Sequence, residues 1–221
     1  MSELLHFSEH RLQEISLLIM GIVYTIRLIW IFRFKAGKER QAATGFGTTS
    51  KKGILYSWAN IAMPWAMESS RRHFILYFQF VLFHLGVVSA IGLSFIIPYA
   101  PQWLNSSVLV FALQVSIGAA CLIGVIRIIR RISSIYLRSI SSPDDYFSLI
   151  LLTVWFFFAF LSIPNNIQNG EWHLVTYFIS TAFFLIYVPF SKISHYLYYP
   201  ITRYYFGKTM GHRGVYPLRR A

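Results

Sequence analysis

Five stretches of the chain are long and apolar enough to cross a membrane as helices, because about 20 helical residues span the hydrocarbon core. Prolines at positions 98, 143 and 164 stand at the ends of these stretches, where a missing backbone N–H costs least. The pattern predicts an all-α integral membrane protein with a single membrane domain. The predicted spans are residues 15–32, 74–97, 107–126, 146–163 and 173–193.

The only long connection between predicted spans is residues 33–72. Inside it, residues 54–68 mix tryptophan and aliphatic side chains with polar ones, and Pro64 makes the segment unsuited to crossing a membrane. Two interpretations fit these residues: a helix lying in the membrane interface, or a loop packed on the helical bundle. Residues 200–221 are predicted to form a tail after the last span.

Composition supports the membrane assignment. Hydrophobic residues make up 56% of the chain and charged residues only 13%, whereas soluble domains carry about 25% charge. Cys121 is the only cysteine, which excludes an internal disulfide and a self-contained iron–sulfur cluster, since a cluster needs about four thiolates. The first residues have mixed charge and no small-residue cleavage site, which is not typical of a cleaved signal peptide.

The basic residues are distributed asymmetrically. In a five-span chain, 18 of the 20 Lys and Arg residues fall in the loops, the last span's end and the tail on one side, while the opposite connections, 99–105 and 165–171, have none. The positive-inside rule therefore predicts an outer N-terminus, a cytoplasmic loop at 33–72 and a cytoplasmic tail at 200–221. Because the basic residues flank apolar stretches, the net charge of +12 indicates contact with membrane lipid, and we expect no nucleic-acid partner.

Histidines in apolar stretches are the first candidates for chemistry, because ionisable groups in a membrane are costly and usually functional. His84 lies deep in the second span, and nearby Gly86 is expected to leave room for a flat macrocycle. His173 and His195 are 22 residues apart. On one continuous helix they would be separated by roughly 33 Å and would lie within roughly 40° of each other.

Imidazoles on facing helices are a common way for a helical bundle to hold haem b. We therefore predict His84 and His195 as the axial ligands of a haem iron. The alternative for His84 is a buried, hydrogen-bonded core histidine.

Other polar residues near the membrane are further candidates. His173 and His73 stand at the two interfaces, where each is either an extra haem ligand or quinone-site residue, or a histidine at headgroup level. Arg27 lies inside the first span and either reaches the cytoplasmic surface or pairs with a haem propionate. Arg127 is a second candidate propionate partner. The remaining histidines, His6, His10 and His212, are interpreted as surface residues.

Four stretches resemble a known family, the gamma subunit of respiratory nitrate reductase and related membrane cytochromes b. The relatives include membrane subunits of heterodisulfide-reductase-like and sulfite-reduction-associated complexes. The resemblance covers about residues 74–199, and Pro-Phe-Ser-Lys-Ile-Ser-His is its most specific part. The four stretches are residues 82–86, residues 122–124 followed by Arg130-Arg131, residues 141–146 and residues 189–195.

The resemblance implies haem ligands at His84 and His195, and it also implies where this chain differs. Well-known members hold two haems b, and the distal haem takes its ligands at positions that correspond to about Ser94 and Tyr177. Neither position is a histidine here. We therefore predict one haem b, with a di-haem arrangement using His73 or His173 as the alternative.

The function implied is that of a membrane cytochrome b subunit in a prokaryotic inner (plasma) membrane, not catalytic alone. It would transfer electrons between a menaquinone-type quinone pool and a cytoplasmic iron–sulfur partner, heterodisulfide-reductase-like or ferredoxin-like. The loop at 33–72 and the tail at 204–221 would form the docking surface, and the quinone site would lie near the single haem. The rival functions are a haem-free membrane anchor for a peripheral redox enzyme and, less favoured, a small transporter.

Overall fold

The computed structural model describes residues 2–34, 37, 39–44, 49–168 and 170–217. The regular secondary structure of the described residues is entirely helical, with no strand among them. The α-helices are α1 (Glu3–Glu9), α2 (Arg11–Arg33), α3 (Ser50–Ala59), α4 (Glu68–Arg72), α5 (Phe74–Tyr99), α6 (Ser107–Ser133), α7 (Ile135–Ile140), α8 (Pro143–Ser162), α9 (Trp172–Tyr187) and α10 (His195–His212).

Five helical stretches are long and apolar enough to cross a membrane, as the sequence predicts. Four of them contain α2, α5, α6 and α8, and the fifth joins α9 to a short 3-10 turn. The all-α class and the presence of five helices long and apolar enough to cross a membrane are therefore confirmed for the described residues. The five stretches are Glu3–Arg33, Phe74–Tyr99, Ser107–Ser133, Pro143–Ser162 and Trp172–Phe190.

The helices end at different residues from the predicted spans. α6 continues to Ser133, past the predicted end at 126. Its last turns are basic but still helical. Arginines near a helix C-terminus interact favourably with the helix dipole, which helps this extension. α5 likewise includes Pro98 and ends at Tyr99.

The last apolar stretch is not one helix. α9 ends at Tyr187, two 3-10 turns follow at Val188–Phe190 and Lys192–Ser194, and α10 begins at His195. Pro189 lacks a backbone N–H, which disfavours continuation of the α-helix at this point. The prediction that His173 and His195 share one helix and one face is therefore wrong.

Residues cluster into two compact units. The first consists of Met1–Arg27 and Gln79–Lys192. Within it, α6 packs against α8, and α9 packs against both α8 and α1. The core is aromatic and aliphatic, and its largest fully buried side chains include Phe156, Tyr177, Phe178, Leu93 and Ile117.

The second unit consists of Leu28–Phe78 and Ile193–Ala221. Its main feature is α3 packed along α10 at the glycines of both helices. A Cβ atom added at Gly207 would lie 2.6 Å from the Gly53 carbonyl oxygen, and one added at Gly211 would lie 2.5 Å from the Thr49 carbonyl oxygen. The two backbones are therefore in direct contact.

Two segments of this unit have a different secondary structure from the one predicted. An interfacial helix or a packed loop was predicted at 54–68. The structure instead has α3 at Ser50–Ala59, followed by a 3-10 turn at Asn60–Ala62. α3 begins early because the Thr49 side chain accepts a hydrogen bond from the Lys52 N–H. The predicted tail is also largely helical, because residues 200–212 belong to α10.

Candidate functional site

His84 lies in the membrane-spanning part of α5 and is partly buried. Its Nδ1 is 2.7 Å from the Phe80 carbonyl oxygen, and the Phe80 ring packs on its imidazole with centroids 4.2 Å apart. A carbonyl oxygen can only accept, so Nδ1 carries the proton and, in the neutral ring, Nε2 carries the lone pair. Metal-ligating histidines are commonly oriented through this kind of hydrogen bond from the other ring nitrogen.

Gly86 does not leave room for a macrocycle. A Cβ atom added there would lie 2.2 Å from the Ala120 Cβ and 3.0 Å from the Ser116 carbonyl oxygen. The absence of a side chain at Gly86 instead lets α5 and α6 approach closely. The two helices are also joined by a 2.8 Å hydrogen bond from the Ser116 hydroxyl to the Ser89 hydroxyl. The prediction made for Gly86 is therefore wrong.

Arg127 lies on α6 and contacts α5 at Phe83. Its Cζ is 4.9 Å from the centroid of the Phe83 ring, and Phe83 is the residue before His84. Arg127 is partly buried in a helix that is long and apolar enough to span a membrane. Within the described part of the chain it makes no hydrogen bond or ion pair, so the Phe83 ring face is its contact there. A desolvated guanidinium of this kind favours an anionic partner.

Arg27 occupies a different environment. Its Cζ is 5.6 Å from the centroid of the Phe190 ring, which belongs to the 3-10 turn after α9. This cation–π contact adds a third interpretation to the two derived from the sequence.

Three of the four family-like stretches meet at one polar cluster, here called the Lys192 cluster and defined by Arg131, Ser142, Asp145 and Lys192. The Lys192 ammonium donates to the Ser142 hydroxyl at 2.8 Å and to Asp145 Oδ1 at 3.0 Å. Asp145 Oδ2 accepts from the Ser142 N–H and hydroxyl, both at 2.8 Å, which caps the N-terminus of α8. Arg131 Nη1 lies 3.8 Å from the same carboxylate.

The Lys192 cluster extends to a tyrosine on α9. The Tyr187 hydroxyl donates to Asp144 Oδ1 at 2.6 Å and lies 3.0 Å from the Ser148 hydroxyl. The sequence motifs include these segments, but they do not predict the contact between them. A signal was present, because Asp144 and Asp145 are the only acidic residues between Glu68 and Glu171.

His195 is the first residue of α10 and belongs to the second unit. Its side chain is exposed, and it directly follows the buried Ser194. His84 belongs to the first unit. The two proposed ligands therefore lie in separate compact units.

Ser94 and Tyr177, where the sequence lacks the second pair of histidines expected of a di-haem protein, belong to a packed and hydrogen-bonded core. Tyr177 is fully buried and its hydroxyl donates to the Ala90 carbonyl oxygen at 2.5 Å. Thr181 Oγ1 accepts from Trp155 Nε1 at 2.8 Å and donates to the Tyr177 carbonyl oxygen. Ser94 is buried and donates to the Ile91 carbonyl oxygen. Side chains thus fill this part of the bundle.

The two interfacial histidines differ in exposure. His73 is exposed between α4 and α5. His173 is partly buried in the first turn of α9, with its ring edge against Trp172 at a centroid distance of 5.7 Å. Just before α9, the Ser2 N–H donates to both carboxylate oxygens of Glu171, and hydrogen bonds from Ser2 lower the pKa of that carboxyl.

The remaining histidines lie in helices or at their ends, and His6 is exposed whereas His10 and His212 are partly buried. His6 lies in α1, with its ring 4.9 Å from the His10 ring. The His10 ring in turn meets the edge of Tyr99 at 5.6 Å. His212 Nε2 hydrogen bonds to the Gln41 carbonyl oxygen at 2.8 Å.

No protein-family model and no curated protein matches this chain. The assignment of a function therefore depends on the residues described above and on the resemblance carried by their motifs.

Proposed function

We propose that the chain is a membrane cytochrome b subunit. It would pass electrons between a menaquinone-type quinone pool and a cytoplasmic iron–sulfur partner, in the inner membrane of a prokaryote. Two features of α5 and α6 carry the proposal, one at His84 and one at Arg127. His84 has its Nδ1 proton donated to the Phe80 carbonyl, and Arg127, on the ring of Phe83, has no anionic partner in the described chain.

These residues fit a haem by their chemistry. His84 and His195 are the proposed axial ligands, and Arg127 is the proposed partner of a propionate. A haem b bound there would supply one-electron redox chemistry. The hydrogen bond to Phe80 orients the His84 ring and sets its tautomer, while the Arg127 guanidinium stabilises negative charge in a poorly solvated place.

A single haem is proposed because of the core around Tyr177. Its buried hydroxyl and ring occupy one of the two positions that ligate the distal haem in the relatives that the sequence resembles. The other, Ser94, is buried and hydrogen bonded to its own helix. This arrangement also supports a quinone site nearer to the single haem than to the outer surface. His73 and His173 remain the ligand candidates under the di-haem alternative.

The partner is proposed to be acidic on its docking face. Exposed basic residues of the second unit include Lys51, Arg71 and Lys208. Electrostatic complementarity between such a face and an acidic iron–sulfur subunit would favour association. The same charges, by the positive-inside rule, support a cytoplasmic location for this unit.

The deciding measurement is the haem content of the purified protein, taken from a pyridine haemochrome assay and a reduced-minus-oxidised spectrum. We expect one haem b per chain. Two haems would favour the di-haem alternative. No haem would favour the haem-free membrane anchor, which the five apolar helices and the basic face fit equally well.

A pair of variants tests the ligand assignment. His84→Ala and His195→Ala are each expected to abolish the low-spin haem signal, because six-coordinate iron would lose a protein ligand. His6→Ala is the control, since it removes an exposed histidine that neither the single-haem proposal nor the di-haem alternative uses. Retention of the low-spin signal in His84→Ala would contradict the assignment.

A further inference from the structure

Arg203 of the second unit is held in place by neighbouring groups of the same unit. Its Nε donates to the Ser57 carbonyl oxygen at 3.0 Å, which attaches α10 to α3. Its Cζ lies 5.1 Å from the centroid of the Phe206 ring and 6.0 Å from that of the Tyr199 ring. The two Nη atoms make no hydrogen bond within the described residues, so they remain donors on a fixed, planar cation.

The second unit offers no carboxylate to Arg203. Glu39 and Glu68 are the only acidic residues in the segments that form the unit. Glu39 accepts a hydrogen bond from Arg213, and Glu68 forms an ion pair with Arg72. Within the described part of the chain Arg203 forms no ion pair. Its charge is therefore available to an anion that the unit itself does not supply.

Two buried polar groups of α3 and its end also lack a partner. Ser57 Oγ and Asn60 Nδ2 make no hydrogen bond within the described residues, although Ser57 is 0% and Asn60 is 3% exposed. The two residues are three apart in the chain, and Ser57 faces α10, because a Cβ atom added at Gly207 would lie 2.7 Å from the Ser57 Cβ. A buried amide or hydroxyl without a partner is costly, so such groups commonly bind water or an ion.

The chemistry of these groups selects the class of ligand. The Arg203 guanidinium, the Asn60 amide nitrogen and the Ser57 hydroxyl can all donate a hydrogen bond, and the first is positively charged. Phosphate oxygens are matched to a planar guanidinium better than to other donors, because two parallel N–H groups can bind them together. The set therefore favours a phosphate group over a neutral or cationic ligand.

Apolar side chains next to these donors favour a phosphate that carries hydrocarbon. Leu55, Trp58 and Ile61 are exposed large apolar residues of α3 and the turn that follows it. Tryptophan is enriched at membrane–water interfaces, where its ring lies at headgroup level. The unit also contains the end of α2 and the start of α5, which are both long and apolar enough to span a membrane. Chain connectivity therefore puts it at a membrane surface.

We propose that Arg203, Asn60 and Ser57 form a binding site for the phosphate of an anionic phospholipid. The acyl chains would lie along the exposed apolar residues of α3. The phosphate would accept hydrogen bonds from the Arg203 Nη atoms, and rotation of the Asn60 and Ser57 side chains would turn their donors toward it. The excess of basic residues in this unit favours a lipid of net negative charge over a zwitterionic one. The inference goes beyond electron transfer and does not require a haem.

The test is native mass spectrometry of the full-length protein, purified in detergent and titrated with phosphatidylglycerol. Arg203→Gln is expected to weaken lipid binding on the order of tenfold, because the phosphate loses its charged donor. Arg203→Lys keeps the charge but not the planar fork, and we expect an intermediate affinity. Asn60→Ala, which keeps Arg203, is expected to cause a smaller loss. Arg138→Gln is the matched control, because it removes one exposed arginine from the first unit.

Two measurements on the wild-type protein need no variant. Phosphatidylcholine should bind less tightly than phosphatidylglycerol, and inorganic phosphate should not displace the bound lipid. Equal affinity for the two lipids, or equal loss of affinity in Arg203→Gln and Arg138→Gln, would overturn the site in favour of general attraction to membranes. Displacement by inorganic phosphate would overturn the lipid as its occupant in favour of free phosphate.

Discussion

At the scale of single residues, His84 and Arg127 show how neighbouring side chains define a candidate site. The Phe80 carbonyl sets the protonation of the His84 ring, and the Phe83 ring supports the Arg127 guanidinium. The two contacts are made by residues within one turn of α5. His84 was visible in the sequence, because a histidine stands out in an apolar run, but its tautomer depends on the contact with a backbone carbonyl.

The charge of Arg127 leads to a prediction about redox potential. Arg127→Gln is expected to lower the haem midpoint potential on the order of tens of millivolts, because loss of a nearby positive charge favours the more positive oxidised state. Potentiometric titration of the purified protein measures this. Arg130→Gln is the control, since Arg130 is an exposed arginine one turn along the same helix. An equal shift in both variants would contradict a specific role for Arg127.

A second residue-scale prediction concerns Glu39. Arg213 Nε donates to Glu39 Oε2 at 2.9 Å, and this hydrogen bond holds the pKa of the carboxyl below its ordinary value of 4.5. A lowered pKa in the folded state stabilises the contact above pH 4.5, and the stabilisation is lost as the pH falls below that value. The protection factors of the amides at residues 39–44, which correct for the intrinsic pH dependence of hydrogen exchange, should therefore fall in acid.

The control for this prediction is Glu39→Gln, which removes the titrating group. The protection factors in that variant should already be lower at neutral pH and should change less on acidification. A wild-type protein and a variant with the same pH profile would contradict the contribution of Glu39.

At the scale of elements, contact between α3 and α10 depends on residues that lack a side chain. Gly53, Gly207 and Gly211 allow a backbone approach that any Cβ atom would prevent. Helices were predictable from apolar length, but this pairing joins segments more than 140 residues apart. Gly53 lies inside α3, where its backbone packs against Gly207 and Gly211.

The glycine contact predicts the effect of one added methyl group. Gly207→Ala is expected to destabilise the second unit by about 1–3 kcal/mol, because the new Cβ would overlap the backbone of α3. Thermal unfolding in detergent, followed by circular dichroism, measures the loss. Gly21→Ala is the control, since nothing lies within 4 Å of a Cβ atom added there. Equal melting temperatures for Gly207→Ala and wild type would contradict this account.

At the scale of the whole molecule, charge asymmetry predicts topology. With five spans, Gln102 in the connection after α5 should face the outside, and Lys208 in α10 should face the cytoplasm. In a Cys121→Ser background, Gln102→Cys should react with an impermeant maleimide on intact cells. Lys208→Cys should react only after the membrane is opened. The reverse pattern would contradict the orientation.

By itself the sequence determined the helical class and the five spans, because apolar length and charge are properties of local segments. Pro189 was also visible, but its consequence, a break before His195, required the actual path of the backbone.

Only the tertiary structure decided that Gly86 closes α5 against α6, and that the Tyr177 side chain is fully buried in the bundle. It also brought Asp145 to Lys192, which is 47 residues away along the chain. The physical reason is common to all three. Steric contact and hydrogen bonding between distant segments depend on distances that no local pattern of residues contains.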